Sequence, residues 1–302
     1  MKASIFIHTN KKQILGALVS QYSFRRFAKN PDAYDVKLIE TKSYPWMAEH
    51  EGKSYLRDGL QRKWLNDDLQ SFTVLRFMPP ELMGYKGRAL VVDPDVFCIS
   101  DVGSLFDRDM GGKALMARRN TGGKHKVWAS SVMLLDNAKL THWKVKENFE
   151  AMFRSERDYM EWVNLQLEPE GTIGELEPVW NDFDTLTPET RMIHNTKRQT
   201  QPWKSGLPVD FRPPESATSL TPKNLYNRAR RAIFGDYGML GRYSSHPDKK
   251  QERLFFALLK ECLEAGVVTE AMVKEQMKNN HVRHDAFEVL RATPTLAEQP
   301  LF

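Results

Sequence analysis

The sequence predicts an α/β protein built on a mostly parallel sheet, followed by a helical C-terminal extension. Three observations carry this. Short apolar runs alternate with stretches of helical spacing through the first two thirds of the chain, the pattern of strands joined by crossover helices. Residues 248 to 292 have helical spacing and no strand signal. Two of the apolar runs stop abruptly at polar residues, "HTN" and "DPD", which sets both on the carboxyl rim of the sheet, where such folds bind ligands.

The elements follow in order. "ASIFIHT", from residue 3, is a first strand ending at His8, Thr9 and Asn10. Ile14, Leu18 and Tyr22 then recur at every fourth position, as do Leu15 and Val19, so a helix follows. "YDVKLIE" is a second strand. Residues 44 to 72 mix aromatic and charged side chains with Gly52 and Gly59, and read as irregular with short helices. "PPEL", from residue 79, begins a short helix, because proline fits a first turn. "RALVV" is a strand, "DVGSLF" a short helix, and "KALMA" and "SSVMLLD" are further strands. "NAKLTHWKVKENFEAMFR", residues 137 to 154, reads as a helix.

The composition changes at "VDFRPPESATSLTP", where prolines and hydroxyl residues mark a linker or exposed loop. The chain therefore divides into an α/β domain over 1–210 and a linker with a helical extension over 211–302. In the extension Leu254, Leu258 and Cys262 are spaced by four, and Gly266 can stop their helix.

The 302 residues are 41% hydrophobic and 27% charged, ordinary for a folded protein with a sizeable core. A net charge of +5 permits an anionic ligand or surface without demanding nucleic acid. Cys98 and Cys262 make no disulfide framework, and a reduced, cytoplasmic setting is the simpler reading. The run "ASIFI" is too short for a signal peptide. No apolar run approaches the roughly 20 residues that cross a bilayer, so membrane contact is expected to be peripheral, on the inner face, if it occurs.

Asp93 and Asp95 follow directly on Leu90, Val91 and Val92. In extended chain, alternate side chains face the same way. Pro94 fixes its own φ and drives Asp93 to extended geometry. The triplet is a stiff, one-sided pair of carboxylates just beyond a buried strand. Their repulsion is resolved by a divalent cation, and hard oxygen ligands suit Mg²⁺ or Mn²⁺. The plain alternative is a pair of acids solvating a loop or capping the next turn. Phosphotransferases of the haloacid-dehalogenase type also follow a strand with such a pair, but they place Thr or Val where this chain has Phe97, and they use the first strand. Glycosyl transfer from a nucleotide sugar is the other chemistry, with the metal neutralising the diphosphate leaving group.

Four stretches, in order, resemble retaining glycosyltransferases of the GT-A type, most of all glycosyltransferase family 8. They are "IFIHTNKKQILGALVSQYSFRR", "SFTVLRFMPPELMGYKGRALVVDPDVFCISDVGSLF", "ASSVMLLDNAKLTHW" and "MIHNTKRQTQPWKSG", together spanning roughly residues 3 to 206. The resemblance implies a GT-A fold and transfer of a sugar, with retention, from a nucleotide-diphosphate sugar, UDP-linked by family habit. It implies Asp93, Asp95 and His194 as ligands of Mn²⁺ or Mg²⁺. It implies His8, Thr9 and Asn10 in the nucleotide pocket, and Arg76 near the phosphates or sugar. Trp203 and Lys204 would lie over the diphosphate. Glu161, with Asp158 as rival, would be the carboxylate serving the sugar. The chain departs from the family at Ala129 (for Asn), Met160 (for Gln) and Gln201 (for the Lys before Pro202), so that Lys197, Arg198 or Lys204 must supply the missing charge. No secure nucleophile is legible, which favours attack by the acceptor hydroxyl on the face from which the diphosphate leaves.

In the extension, "KNLYNRARRAIFG" puts Leu225, Tyr226, Ala229 and Ile233 on one helical face and adds four positive charges. Such a helix, residues 223–235, packs on the domain or lies on an anionic membrane, which suits a glycan or lipid-linked acceptor. The last helices cap the domain or make a homodimer contact. Two rival functions remain at this stage: a protein of the same fold that binds nucleotide sugars without transfer, and, on charge alone, a nucleic-acid binder. The expected partners are a nucleotide-sugar donor and a glycan, without nucleic acid.

Overall fold

The computed structural model describes residues 2–69, 71–120, 127–211, 221–234 and 241–302. The strands are β1 (Ala3–Thr9), β2 (Tyr34–Glu40), β3 (Ser54–Arg57), β4 (Leu60–Lys63), β5 (Arg88–Val92), β6 (Val96–Cys98), β7 (Leu115–Asn120), β8 (Val127–Asp136), β9 (Ile173–Glu175), β10 (Asp182–Phe183) and β11 (Met192–His194). Six form the main sheet in the order β2-β1-β5-β8-β7-β9. Strands β1, β2 and β5 run parallel, β8 runs antiparallel to both its neighbours, and β7 pairs parallel with β9. The expected mostly parallel α/β sheet is therefore present.

Every side chain of Leu90, Val91 and Val92 is fully buried, as befits a central strand covered on both faces. One face packs under α1 (Ile14–Arg26), together with Ile5, Ile7, Val96 and Val132. The other carries the larger aromatic cluster of Phe77, Trp143, Phe149 and Trp162.

Three sequence expectations change. Residues 44 to 72 hold a β3–β4 hairpin rather than irregular chain only. Its turn is Asp58-Gly59, with φ of 56° and 69°, the left-handed pair that a tight hairpin turn needs. The helix over 137–154 is broken into a short turn at Asn137–Lys139 and a helix at Val145–Phe153. The break occurs because Trp143 is buried and donates to Glu168 at 2.8 Å, while Glu81 accepts from the Val145 amide at 3.0 Å and starts a new helix. Finally, β9, β10 and β11 carry no strand signal of their own and are held by pairing with distant chain.

Of the C-terminal helices Lys249–Glu264, Glu270–Lys278 and Ala286–Ala292, the first packs on α1 and the last packs on the first. Leu254, Phe255, Leu258 and Leu259 form one buried cluster with Leu15, Val19, Phe97 and Trp203. Residues 212–220 of the expected linker lie outside the described residues, and so does Gly235 at the end of the basic helix, which is described over Pro222–Phe234.

Candidate metal centre

Asp93 and Asp95 stand on the turn from β5 into β6, held at the carboxyl end of the sheet. The Asp93 amide donates to the Ser131 carbonyl at 2.9 Å, and the Val96 amide to the Asp93 carbonyl at 3.2 Å. On α1, a Cβ added to Gly16 would lie 3.0 Å from the Pro94 carbonyl and 3.4 Å from the Trp203 ring, so glycine lets the helix press against this turn.

The antiparallel pairing of β11 with β6 sets His194 opposite Val96, one residue beyond Asp95. His194 Nε2 is 3.4 Å from Asp95 Oδ1. Ligand atoms of Asp93, Asp95 and His194 all lie within 4.8 Å of one another. The donor set fits a divalent cation: two hard carboxylates and an imidazole whose other nitrogen is occupied. His194 Nδ1 is 3.0 Å from Asn181 Oδ1, and Asn181 donates in turn to Ser131 Oγ at 3.0 Å. An Nδ1–H bonded this way leaves Nε2 with the lone pair, aimed at the carboxylates.

Asp93 Oδ1 receives Arg76 Nη2 at 2.7 Å and lies 2.9 Å from His8 Nε2. Burial pushes the Asp93 carboxyl up, but Arg76 and then His8 outweigh it and hold the group at about 2. Burial pulls the His8 imidazole below its ordinary value, against the Asp93 carboxylate, which raises it. At His194 burial also pulls down, but the Asp95 carboxylate prevails and raises the pKa. Arg76 also donates to Ser130 Oγ, which donates to the Val163 carbonyl. Ser130 and Ser131 reach the site because β8 slips against β7 at this point, between Ala117 and Arg118.

A cavity of about 400 Å³ opens over the cluster. Arg57, Arg76, Trp128, Tyr159, Asn164 and Arg198 are among its lining residues, with Asp93, Asp95 and His194. A second cavity, of about 380 Å³, lies beyond the ends of β1 and β2, between Asn10, Glu40, Met47, Trp64 and Asn66.

Of the residues expected at the site, Asp93, Asp95, His194 and Arg76 come together, and His8 joins them from below, fully buried 2.9 Å from Asp93. Asn10 lines the second cavity, but its amide is engaged locally: Oδ1 accepts from the Lys12 and Gln13 amides at 3.0 and 3.2 Å, and Nδ2 donates to Ser71 Oγ at 3.1 Å. Thr9 is buried and donates to the Asn10 carbonyl at 3.2 Å. Trp203 is buried, stacked on Phe255 with ring centres 4.7 Å apart, and Lys204 is fully buried with Nζ 2.9 Å from Asp210 Oδ2. These two therefore sit in the core behind the site, not over its cavity. Asp158 caps the helix Tyr159–Val163, accepting from the Met160 amide at 2.6 Å and from the Gly59 amide at 2.8 Å. Glu161 is exposed; from its helix, Tyr159, Met160 and Val163 face the cavity.

Asn181, Gln201, Arg198 and the serine pair complete the site. Gln201 donates to Asp95 Oδ2 at 3.0 Å. The two serines had a signal, being polar residues inside an apolar strand; Asn181 had none.

No family model matches the chain, and no curated protein matches it. Solved structures do. The galactosyltransferase LgtC, in complex with donor and acceptor sugar analogues, is 13% identical over 67% of this chain and 89% of its own, with a TM-score of 0.48. The glycosyltransferase GlyE of Streptococcus pneumoniae is 15% identical over 88% of this chain and 64% of its own, with a TM-score of 0.49. The bifunctional glycosyltransferase WbbM is 12% identical over 68% of this chain, with a TM-score of 0.45, and the chain spans 47% of WbbM's length. These three solved structures are glycosyltransferases.

Proposed function

We propose that this chain is a metal-dependent glycosyltransferase. It moves a sugar from a nucleotide-diphosphate sugar, with UDP as the expected nucleotide, to a hydroxyl of a glycan or lipid-linked glycan, with retention. The observation that carries this reading is the convergence of Asp93, Asp95 and His194 at the carboxyl rim of the sheet, with the His194 tautomer fixed by Asn181. An imidazole joined to carboxylates suits Mn²⁺, with Mg²⁺ the alternative. The bound ion supplies charge neutralisation of the departing diphosphate.

The protein's own residues divide the remaining work. Arg76 keeps Asp93 ionised and in place. Arg198 lines the same cavity as the acidic pair and is the cation placed to meet the donor's phosphates, since Lys204 is held by Asp210. Among the described residues lining the cavity, the only carboxylates are Asp93 and Asp95. With both committed to a metal, no carboxylate among the described lining residues is left to form a covalent sugar intermediate. The acceptor hydroxyl then attacks on the leaving-group face, and a diphosphate oxygen takes its proton. Tyr159, Asn164 and Arg57 line the wall that meets the sugar and acceptor.

No helix among the described residues is long and apolar enough to cross a membrane. A cytoplasmic enzyme, working on its own or at a membrane surface, is the setting this reading expects. The deciding experiment is titration with UDP in the presence and absence of Mn²⁺, followed by assay with nucleotide sugars. Metal-dependent binding with donor turnover, both lost in Asp95→Ala without loss of the fold, is the expected result. Binding without turnover makes the chain a nucleotide-sugar binder, and turnover retained in Asp95→Ala removes the metal assignment.

A further inference from the structure

We infer that Gln13 is a further donor-binding residue, whose side-chain amide accepts a hydrogen bond from a ribose hydroxyl of the nucleotide. The inference rests on the metal-dependent transferase reading above and adds to it a contact made from the α1 side of the site.

Gln13 directly precedes α1 and is only 3% exposed. Its Oε1 is buried and has no hydrogen-bond partner among the described residues. Leaving a buried acceptor unpaired costs stability, so the residue calls for a reason. The helix start does not supply one. Glutamine is not among the preferred residues there, and Gln13 makes no side-chain cap. The turn before α1 is closed by Asn10, whose Oδ1 accepts from the Lys12 and Gln13 amides at 3.0 and 3.2 Å. Two other buried side-chain atoms lining the metal cavity lack a partner, Arg76 Nε and Gln201 Oε1. Those two side chains are already placed by the acidic pair, through bonds to Asp93 and Asp95.

Position gives Gln13 its ligand. It precedes Gly16 by three residues, which sets both on one helical face. That face presses on the acidic turn, since a Cβ on Gly16 would lie 3.0 Å from the Pro94 carbonyl. Gln13 accordingly lines the metal cavity with Asp93, Pro94 and Asp95. Its neighbours Asn10, Lys11 and Ile14 line the second cavity instead. Opposite them, Ser71 lines the second cavity while Phe72 and Thr73 line the first. Asn10 Nδ2 donates to Ser71 Oγ at 3.1 Å and joins these two segments into one partition. The two cavities are therefore neighbours, and Gln13 stands where one passes into the other.

The order of groups in a nucleoside diphosphate then selects the partner. With the diphosphate on the ion, the base end reaches into the second cavity, beside Met47 and Trp64. The ribose joins the two and crosses the partition at Gln13. An unpaired amide oxygen needs a donor. Ionised phosphate oxygens donate nothing, whereas the ribose offers its 2′- and 3′-hydroxyls.

Calorimetric titration of the full chain in Mn²⁺ tests the inference, with UDP, 2′-deoxy-UDP and 3′-deoxy-UDP as probes. The variant is Gln13→Met, which keeps the length of the side chain and removes the acceptor. The wild type is expected to prefer UDP over one of the two analogues by about three- to tenfold, the scale of one hydrogen bond. Gln13→Met is expected to lose the same factor for UDP and to bind that analogue as the wild type does. Without ligand, the variant is expected to melt at the wild-type temperature or above it, because an unpaired buried acceptor has gone. Three results overturn the inference and leave the transferase reading standing: unchanged UDP affinity in Gln13→Met, an equal loss for UDP and both analogues, or a lower melting temperature of the ligand-free variant, which makes Gln13 a structural residue. A wild type that binds no UDP in Mn²⁺ overturns the reading itself, and the inference with it.

Discussion

Gln201 donates its side-chain amide to Asp95 Oδ2 at 3.0 Å, while Asp95 Oδ1 faces His194. The position that the family resemblance reserves for a cation beside the donor's phosphates is filled here by a neutral group that holds a metal ligand. Gln201→Ala frees the Asp95 carboxylate to rotate without removing it. Losses of about tenfold or more in metal affinity are typical when such an outer partner is removed. The expected outcome is weaker Mn²⁺ binding by calorimetry in the presence of UDP, with an unchanged melting temperature in the absence of metal. Unchanged metal affinity would show that Asp95 is held by the backbone alone.

The same region separates what local sequence can say from what it cannot. β1, α1, β2 and β5 were legible because each is an apolar run or a four-residue spacing complete within itself, and the Asp-Pro-Asp triplet was legible because proline dictates its geometry. His194 was reachable only by resemblance. Its place depends on β11 pairing with β6 across nearly a hundred residues, and nothing in "RMIHNT" reports that pairing. The β3–β4 hairpin did leave a signal, the Asp58-Gly59 dipeptide, but the charged and aromatic residues around it masked the strand alternation. Lys204 was misplaced for the opposite reason. Its neighbours Pro202 and Trp203 resemble a donor-closing element, while the partners that decide its fate, Asp210 and Tyr243, are brought to it by tertiary structure.

Lys204 therefore gives a clean contrast between two roles. Burial pushes the Asp210 carboxyl up, but Lys204, and Lys12 beyond it, hold it below its usual value. Lys204→Met leaves the buried Asp210 carboxylate without its nearest cation, and breaking such a pair costs about 3–5 kcal/mol. The melting temperature is expected to fall steeply, and adding Asp210→Asn is expected to restore most of it. UDP affinity, measured well below the melting transition, stays at the wild-type value. A lysine acting on the diphosphate would give the reverse: a normal melting temperature and weak UDP binding.

Acid sensitivity follows from His281. Burial first, then the positive charges of Lys204 and Lys12, depress its pKa to about 4. A histidine depressed in the folded state stays neutral there while the unfolded chain takes up a proton. Its contribution to stability is complete above the unfolded value near 6.5 and is lost as the pH falls through 4. The loss is on the order of 2 to 3 kcal/mol over that interval. Denaturant midpoints measured from pH 7 to pH 4 are expected to decline in the wild type and to decline less in His281→Gln, whose amide keeps a polar partner for Gln276. Parallel pH profiles for the two proteins would place the acid sensitivity elsewhere, His8 being the next histidine whose pKa is depressed by burial.

Asp158 and Glu161, the two carboxylates that the sequence offered for chemistry on the sugar, separate by what each touches. Burial alone would raise the Asp158 carboxyl, but the amides of Gly59, Asp58, Met160 and Glu161 together hold it below its usual value. One side chain thus caps the helix Tyr159–Val163 and ties the β3–β4 turn to it, which sets Arg57 over the Tyr159 ring at 4.6 Å. Asp158→Ala is expected to lower stability by about 1–2 kcal/mol, the usual effect of losing a helix cap. It should also raise KM for the acceptor more than it lowers kcat, because the wall formed by Arg57 and Tyr159 loosens while the metal centre is untouched. Asp158→Asn, whose single amide oxygen can still cap the helix but leaves the Gly59 amide facing an NH2 group, is expected to recover most of the stability and little of the KM effect. Glu161→Gln changes a carboxylate that faces solvent and leaves turnover as it was. Should Glu161→Gln instead abolish turnover with UDP affinity intact, Glu161 acts on the sugar after a rearrangement of its helix, and the assignment of same-face attack without a protein carboxylate fails with it.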